Sequence, residues 1–235
     1  MRAAMAAVLL RARARSRALS SSSMAPPLKP SEALTKEEIS QIHALVPRLI
    51  DSGHLDDAVR LIDAALLADP SSQSSLPLPL IADRLSDHSD LTPTMSLLTA
   101  LRHNLSHPSP LTLISLLISS FLRRRRLKEA VKVFFWLCRP DSPCRPDRDV
   151  YAIAIGGFCR HGKTLEGLRA MREMVRDGVV PGREMKEAVW RGLLQEARVD
   201  EAQELNAVLA NVREEGDVLD AVALVLDRII KDWQE

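Results

Sequence analysis

An all-α fold is predicted, an α-solenoid of about five helix–turn–helix repeats of 35–37 residues with a C-terminal capping helix. Three observations predict it. Segments resembling the start of a helix recur at positions 55, 91, 127, 164 and 199, steps of 36, 36, 37 and 35 residues. Apolar residues within them keep helical spacing. The composition is aliphatic, 46% hydrophobic with only 3% aromatic, and rich in helix formers.

Residues 1–31 precede the repeats. They carry Arg2, Arg11, Arg13, Arg15, Arg17 and Lys29, no acid, and a serine run at Ser20–Ser23. That is the composition of an organellar transit peptide. Spaced arginines favour a mitochondrial over a chloroplast address, and Arg17-Ala18-Leu19-Ser20 resembles a processing site cleaved after Leu19. A basic tail without an address is the other reading. Pro26, Pro27 and Pro30 break the chain before the folded part.

Residues 32–209 hold the repeats. The second helices open Leu55-Asp56-Asp57-Ala58-Val59, Leu91-Thr92-Pro93-Thr94-Met95, Leu127-Lys128-Glu129-Ala130-Val131, Thr164-Leu165-Glu166-Gly167-Leu168 and Val199-Asp200-Glu201-Ala202-Gln203. In the third, Leu127, Ala130, Val131, Phe134 and Leu137 form one helical stripe, as Leu55, Ala58, Val59, Ile62 and Ala65 do in the first. Asp56, Glu129, Glu166 and Glu201 stand in first turns, where acids favour the helix dipole. Gly53 and Gly162 mark turns that need positive φ, and Gly178 with Pro181 ends the fourth repeat. Gly167 replaces alanine at the third position after the helix start, so Gly167→Ala is an expected stabiliser. Residues 210–235 are read as the capping helix, with Val218, Ala221, Val222, Val225 and Ile229 on its apolar face.

The formal net charge is +1. Setting aside the six basic residues of positions 1–31 leaves 26 basic against 31 acidic residues, a body of net −5. This opposes a strong non-specific grip on phosphate, though local basic patches remain. Cys138, Cys144 and Cys159 match no zinc or redox spacing and read as reduced thiols. The most apolar stretch, Leu111 to Leu122, is too short to span a membrane and ends in Arg123–Arg126. His103 and His107 are four apart, but prolines follow at once and no third ligand is near. No phosphate loop, nucleophile elbow or His-Glu-x-x-His is present. An enzyme, a cofactor, a metal and a small-molecule substrate are therefore not expected. Trp136, Trp190 and Trp233 read as packing or interface residues, and Tyr151 and Phe158 as core.

A tetratricopeptide repeat would carry Trp, Leu-Gly and Tyr in its first helix, and none of the five segments does. The fourth segment, Asp149 to Gly182, instead resembles a pentatricopeptide repeat almost throughout, in Val150-Tyr151, Phe158-Cys159, Gly162-Lys163, Met171, Glu173-Met174 and Gly178-Val179-Val180-Pro181. The third, Leu111 to Asp147, is similar in Leu117-Ile118, Arg126-Leu127-Lys128-Glu129-Ala130, Phe134 and Pro146-Asp147. The first is similar in Gly53-His54-Leu55-Asp56-Asp57-Ala58, and the second and fifth are degenerate. The resemblance covers roughly residues 39–209 and points to a short P-class-like protein of the plant organellar type.

That resemblance implies binding of single-stranded organellar RNA, about one base per repeat. It implies base contacts at the fifth and last motif residues. These are Ser115 and Asp147 in the third repeat, Ala152 and Gly182 in the fourth, and His43 and Gln73 in the first. The second repeat has Pro79 and Ser109 there, and the fifth has Glu187. Ser115 with Asp147 can hydrogen-bond a base edge, Ala152 with Gly182 cannot, and the remaining pairs depart from the family code. The second motif residues, Thr112, Asp149 and Glu184, depart from the apolar residue expected there. Arg123 and Arg160 hold equivalent places for phosphate contact. Arg124, Arg125, Arg126 and Lys128 extend the basic cluster, which can equally be a solvated turn. Two functions follow: an RNA-associated factor in organellar RNA processing, stability or translation, or a protein-binding scaffold within a mitochondrial ribosome or another organellar complex.

Overall fold

The computed structural model describes residues 36–54, 57–62, 77–102, 110–210 and 216–233. The candidates Gln73, His103 and His107, residues 1–31 and the side chain of His43 lie outside them. Among the described residues every regular element is a helix. In chain order these are α1 (Lys36–Asp51), α2 (57–62), α3 (Leu78–Asp87), α4 (Thr92–Arg102), α5 (Leu111–Arg123), α6 (Leu127–Leu137), α7 (Arg148–Arg160), α8 (Thr164–Arg176), α9 (Arg183–Gln195), α10 (Val199–Ala210) and α11 (Gly216–Asp232). The all-α repeat reading holds: the second helices begin within a residue of the predicted starts wherever the start is described. No helix among these residues is long and apolar enough to cross a membrane.

The regular step has a repeated physical cause. In four repeats the first helix ends in the same pair of backbone hydrogen bonds. His54, Arg126, Lys163 and Arg198 N–H groups donate to the carbonyls of Leu49, Phe121, Phe158 and Leu193. Gly53, Arg125, Gly162 and Ala197 N–H groups donate to those of Ile50, Leu122, Cys159 and Leu194. This is the Schellman closure, and its hinge residue must take positive φ. The φ values are 79° at Gly53, 57° at Arg125, 68° at Gly162 and 58° at Ala197. Arginine and alanine are strained there, since left-handed backbone costs an L-residue about 1–2 kcal/mol. Ala197→Gly is therefore expected to stabilise the chain by about 1 kcal/mol, read as a higher urea midpoint at unchanged slope.

The chain forms two compact units, Met1–Leu113 and Ile114–Glu235. In the first, α3 packs on α1 and α4. Ile42, Val46, Leu61, Ile62, Ile81 and Leu97 are fully buried, and Asp51 pairs with Arg84 at 3.0 Å. Its second turn differs from the others. The Asp90 carboxylate accepts from the Thr92 N–H (2.9 Å) and hydroxyl (2.8 Å). Those bonds hold its carboxyl below the usual range. Thr94 occupies the small-residue position taken by Ala58, Ala130 and Ala202, fully buried, with no partner for its hydroxyl. This explains why the repeat is hard to see in the sequence.

In the second unit α7 packs on its hairpin partner α8 and on the next first helix, α9. Phe134 of α6 meets the rings of Tyr151 and Phe158 of α7 edge-on, both at 5.9 Å, and Phe135 at 5.1 Å. The Tyr151 hydroxyl donates to Asp177 Oδ2 at 2.6 Å, tying the start of α7 to the end of α8. Burial and that bond drive its pKa upward. All three cysteines are free thiols; burial pushes Cys138 and Cys159 up to about 12.

Two expectations are corrected here. A Cβ built on Gly167 would lie 2.5 Å from Cys159 Sγ, so α7 and α8 meet too closely for a methyl. Gly167→Ala should lower the melting temperature by overpacking, about 1–3 kcal/mol, against the stabilisation that helix propensity suggests. In a Cys159→Ala background the same change should instead stabilise by about 1 kcal/mol. Additive effects in that cycle would deny the contact. The second correction concerns α11. Its buried face is Val222, Leu226, Ile229 and Ile230, while Ala221 is exposed and Val218 lies outside the described side chains.

α11 packs across the second helices α8 and α10. Arg172 and Arg176 both reach Asp227 (3.4 and 3.1 Å), Arg228 pairs with Glu204, and Arg198 lies over the Trp233 ring at 4.2 Å. It thus packs on second helices.

Candidate nucleic-acid interface

First helices stacked side by side create grooves between neighbours. Between α5 and α7 the approach is set by Gly157, where an added Cβ would meet Leu122 Cδ1 at 2.2 Å. The groove above them is about 470 Å³ and is lined by Ser119, Leu122, Arg123, Ile153, Arg160 and His161. The structure thereby brings together the two phosphate candidates placed at equivalent repeat positions. Both are exposed. Arg123 Nη2 donates to Ser120 Oγ at 3.2 Å, and Arg160 Nε donates to the Gly156 carbonyl at 3.1 Å. Each side chain is held near its own helix end, facing the groove from its two sides. His161, absent from the sequence-based candidates, joins them because it is the C-cap of α7.

The rest of the basic cluster divides. Arg124, Arg125 and Lys128 are exposed. Arg126 is not available in the same way. It is half-buried, bonded to Glu129 at 3.0 Å and stacked 5.3 Å over the Phe121 ring. Burial alone would raise the Glu129 carboxyl, but the Arg126 guanidinium, the residue's own N–H and the charge of Lys132 together keep it lowered. Arg198 repeats this staple on Glu201 at 2.9 Å. A basic residue before the helix paired with the acid three residues on is thus a structural device of these turns.

The base-reading candidates are scattered in character. Ser115 is half-buried on α5. Asp147 is the N-cap of α7, its Oδ1 accepting from the Val150 N–H at 2.8 Å. One carboxylate oxygen is therefore occupied by helix capping, a role that an Asp immediately before an apolar helix signals. Gly182 is the N-cap of α9, with Arg148 so near that a Cβ would lie 2.8 Å from Nη2. Ala152 lines a second groove, between α7 and α9, of about 540 Å³. Ala152, Gly156 and Arg160 of α7 and Glu184, Ala188, Arg191 and Gly192 of α9 are among its lining. At its mouth Glu187 accepts from Arg183 Nε (2.7 Å) and Arg191 Nη2 (3.1 Å), and the Arg183 bond holds its carboxyl below the ordinary range.

The fold of the described residues is that of an all-α helical-repeat protein. The family model of the PPR repeat matches residues 115–135 and 149–179. Those stretches span most of the α5–α6 hairpin and all of the α7–α8 hairpin but Arg148, the two that frame the Arg123–Arg160 groove. A search of the curated proteins finds no match to the chain.

Proposed function

We propose that this chain is an RNA-associated helical-repeat protein of an organelle, acting in RNA processing, stability or translation with weak sequence specificity. The observation that carries the reading is the Arg123–Arg160 pair along one groove, in the two hairpins that match the PPR repeat. Phosphate contact there needs no base recognition. The thin set of base-reading side chains fits a protein that positions RNA and does not select it strongly. The acid-free, Arg-rich residues 1–31 support a mitochondrial address, with chloroplast as the alternative. A fluorescent fusion of residues 1–40 tests the address directly.

Mobility-shift titration of the chain with organellar RNA at rising salt tests the binding. Removing both phosphate contacts with Arg123→Ala and Arg160→Ala should flatten the log affinity against log salt slope by about 1.4, at about 0.7 per contact on single strands. Absence of salt-sensitive retention at micromolar protein would sink direct RNA binding.

A further inference from the structure

We propose that His161 is a third phosphate-contacting side chain of the α5–α7 groove, and that its protonation makes RNA binding tighten as pH falls. This rests on the RNA reading and deepens it. The fold does not ask for histidine there. His161 stands just before the positive-φ hinge, where the other three turns of this kind carry Ser52, Arg124 and Glu196. In all four the N–H donates to the carbonyl four residues back, on Arg48, Ser120, Gly157 and Gly192. The backbone therefore closes the helix whatever the side chain is. The imidazole makes no hydrogen bond or ion pair among the described residues, although it is half-buried and lines the groove beside Arg123 and Arg160. A ring placed so offers its nitrogens to whatever enters the groove.

The surrounding charges favour an anion. Arg123 faces the groove from α5 and Arg160 from α7, and no carboxylate is part of its lining. Arg124, Arg125 and Lys163 are exposed in the turns beside it. The first acids of the second helices are already engaged: Glu129 of α6 with Arg126 at 3.0 Å, and Glu166 of α8 with Arg169 at 2.9 Å. From α9, Glu184, Glu187 and Arg191 line the neighbouring groove with Arg160, and His161 has no part in that lining. A phosphate seated between Arg123 and Arg160 stands against the ring as well, and its charge favours the protonated imidazole. Histidine is the side chain that gains its charge between pH 8 and pH 5. Binding RNA then takes up a proton, so affinity rises as pH falls through that range. Two permanent charges hold the phosphate at any pH, and acid adds the third.

Mobility-shift titration of the full chain with organellar RNA, run at pH 8 and at pH 6 in matched salt, tests this. The parent should bind about tenfold more tightly at pH 6, the size of one charge-assisted hydrogen bond. Its log affinity against log salt slope should be steeper there by about 0.7. His161→Gln cannot gain charge, so its affinities at the two pH values should agree. His161→Arg puts at this turn the residue type that Arg124 supplies in the turn before. It should hold RNA at pH 8 as tightly as the parent does at pH 6 and should also lose the response. Circular dichroism of both variants at both pH values should be that of the parent. RNA retention at pH 8 that does not strengthen at pH 6, or a response that survives in either variant, would overturn the proposal and leave the RNA reading standing. Absence of retention at both pH values would overturn the two together.

Discussion

Ala130→Asp should abolish the cooperative unfolding of the Ile114–Glu235 unit at neutral pH. Ala130 is fully buried on α6 and stands where the second helix turns its small-residue face inward. A carboxylate there has no water, and leaving a buried charge uncompensated costs about 3–5 kcal/mol. Whole domains are stable by only about 5–15 kcal/mol, so most of the unit's margin is consumed. The pH dependence separates charge from bulk. Burial raises the folded pKa of the introduced acid above its unfolded value, so the folded state holds the proton more tightly. The penalty is then largest above the folded pKa and shrinks as pH falls toward the ordinary carboxyl range. Measured against the parent chain at each pH, Ala130→Asp should recover on acidification, while Ala130→Asn should not. Equal melting temperatures for Ala130→Asp and the parent at pH 7 would mean that the repeat register is wrong.

The register was legible because the turn that generates it is local. Gly53 and Gly162 announce positive φ, and the acids at Glu129, Glu166 and Glu201 mark first turns. Arg125 and Ala197 perform the same turn without announcing it, since the surrounding hydrogen bonds override residue preference. The errors have one cause in common: they concern what a helix meets. Helix propensity sees Gly167 alone and cannot see Cys159 behind it. In α11, apolar residues run nearly round the helix, with Leu224 72% exposed, so spacing could not choose between Ala221 and Leu226 for the buried face. The candidate site followed the same division. Arg123 and Arg160 could be paired as candidates from the sequence because their repeat positions correspond. His161 and the α7–α9 groove could not, because each depends on how neighbouring helices pack.

Phe134→Ala should be the most damaging truncation at the boundary between the third and fourth repeats. The chain has four Phe, one Tyr and three Trp, and four of these aromatics, Phe134, Phe135, Tyr151 and Phe158, gather at this one place. Phe134 is the ring common to all three edge contacts and is fully buried. Removing a buried phenyl costs about 3–5 kcal/mol through lost transfer energy and the cavity left behind. Phe134→Leu keeps much of the apolar volume and loses the ring edges, worth about 0.5–1.5 kcal/mol each, so it should fall well short of the alanine variant. The consequence exceeds a lower midpoint. Stability in stacked repeats is a sum of repeat and interface contributions, and this interface joins α6 to the hairpin of Tyr151 and Phe158. Weakening it should uncouple the third repeat from the fourth, so that urea unfolding of Phe134→Ala divides into two transitions. Tyr151→Phe leaves the ring in place and removes only the bond to Asp177, so its effect should add to that of Phe134→Leu without coupling. A single unchanged transition in Phe134→Ala would show that the repeats are joined elsewhere, and strong coupling between Phe134→Leu and Tyr151→Phe would show that the hydroxyl bond and the ring cluster act as one.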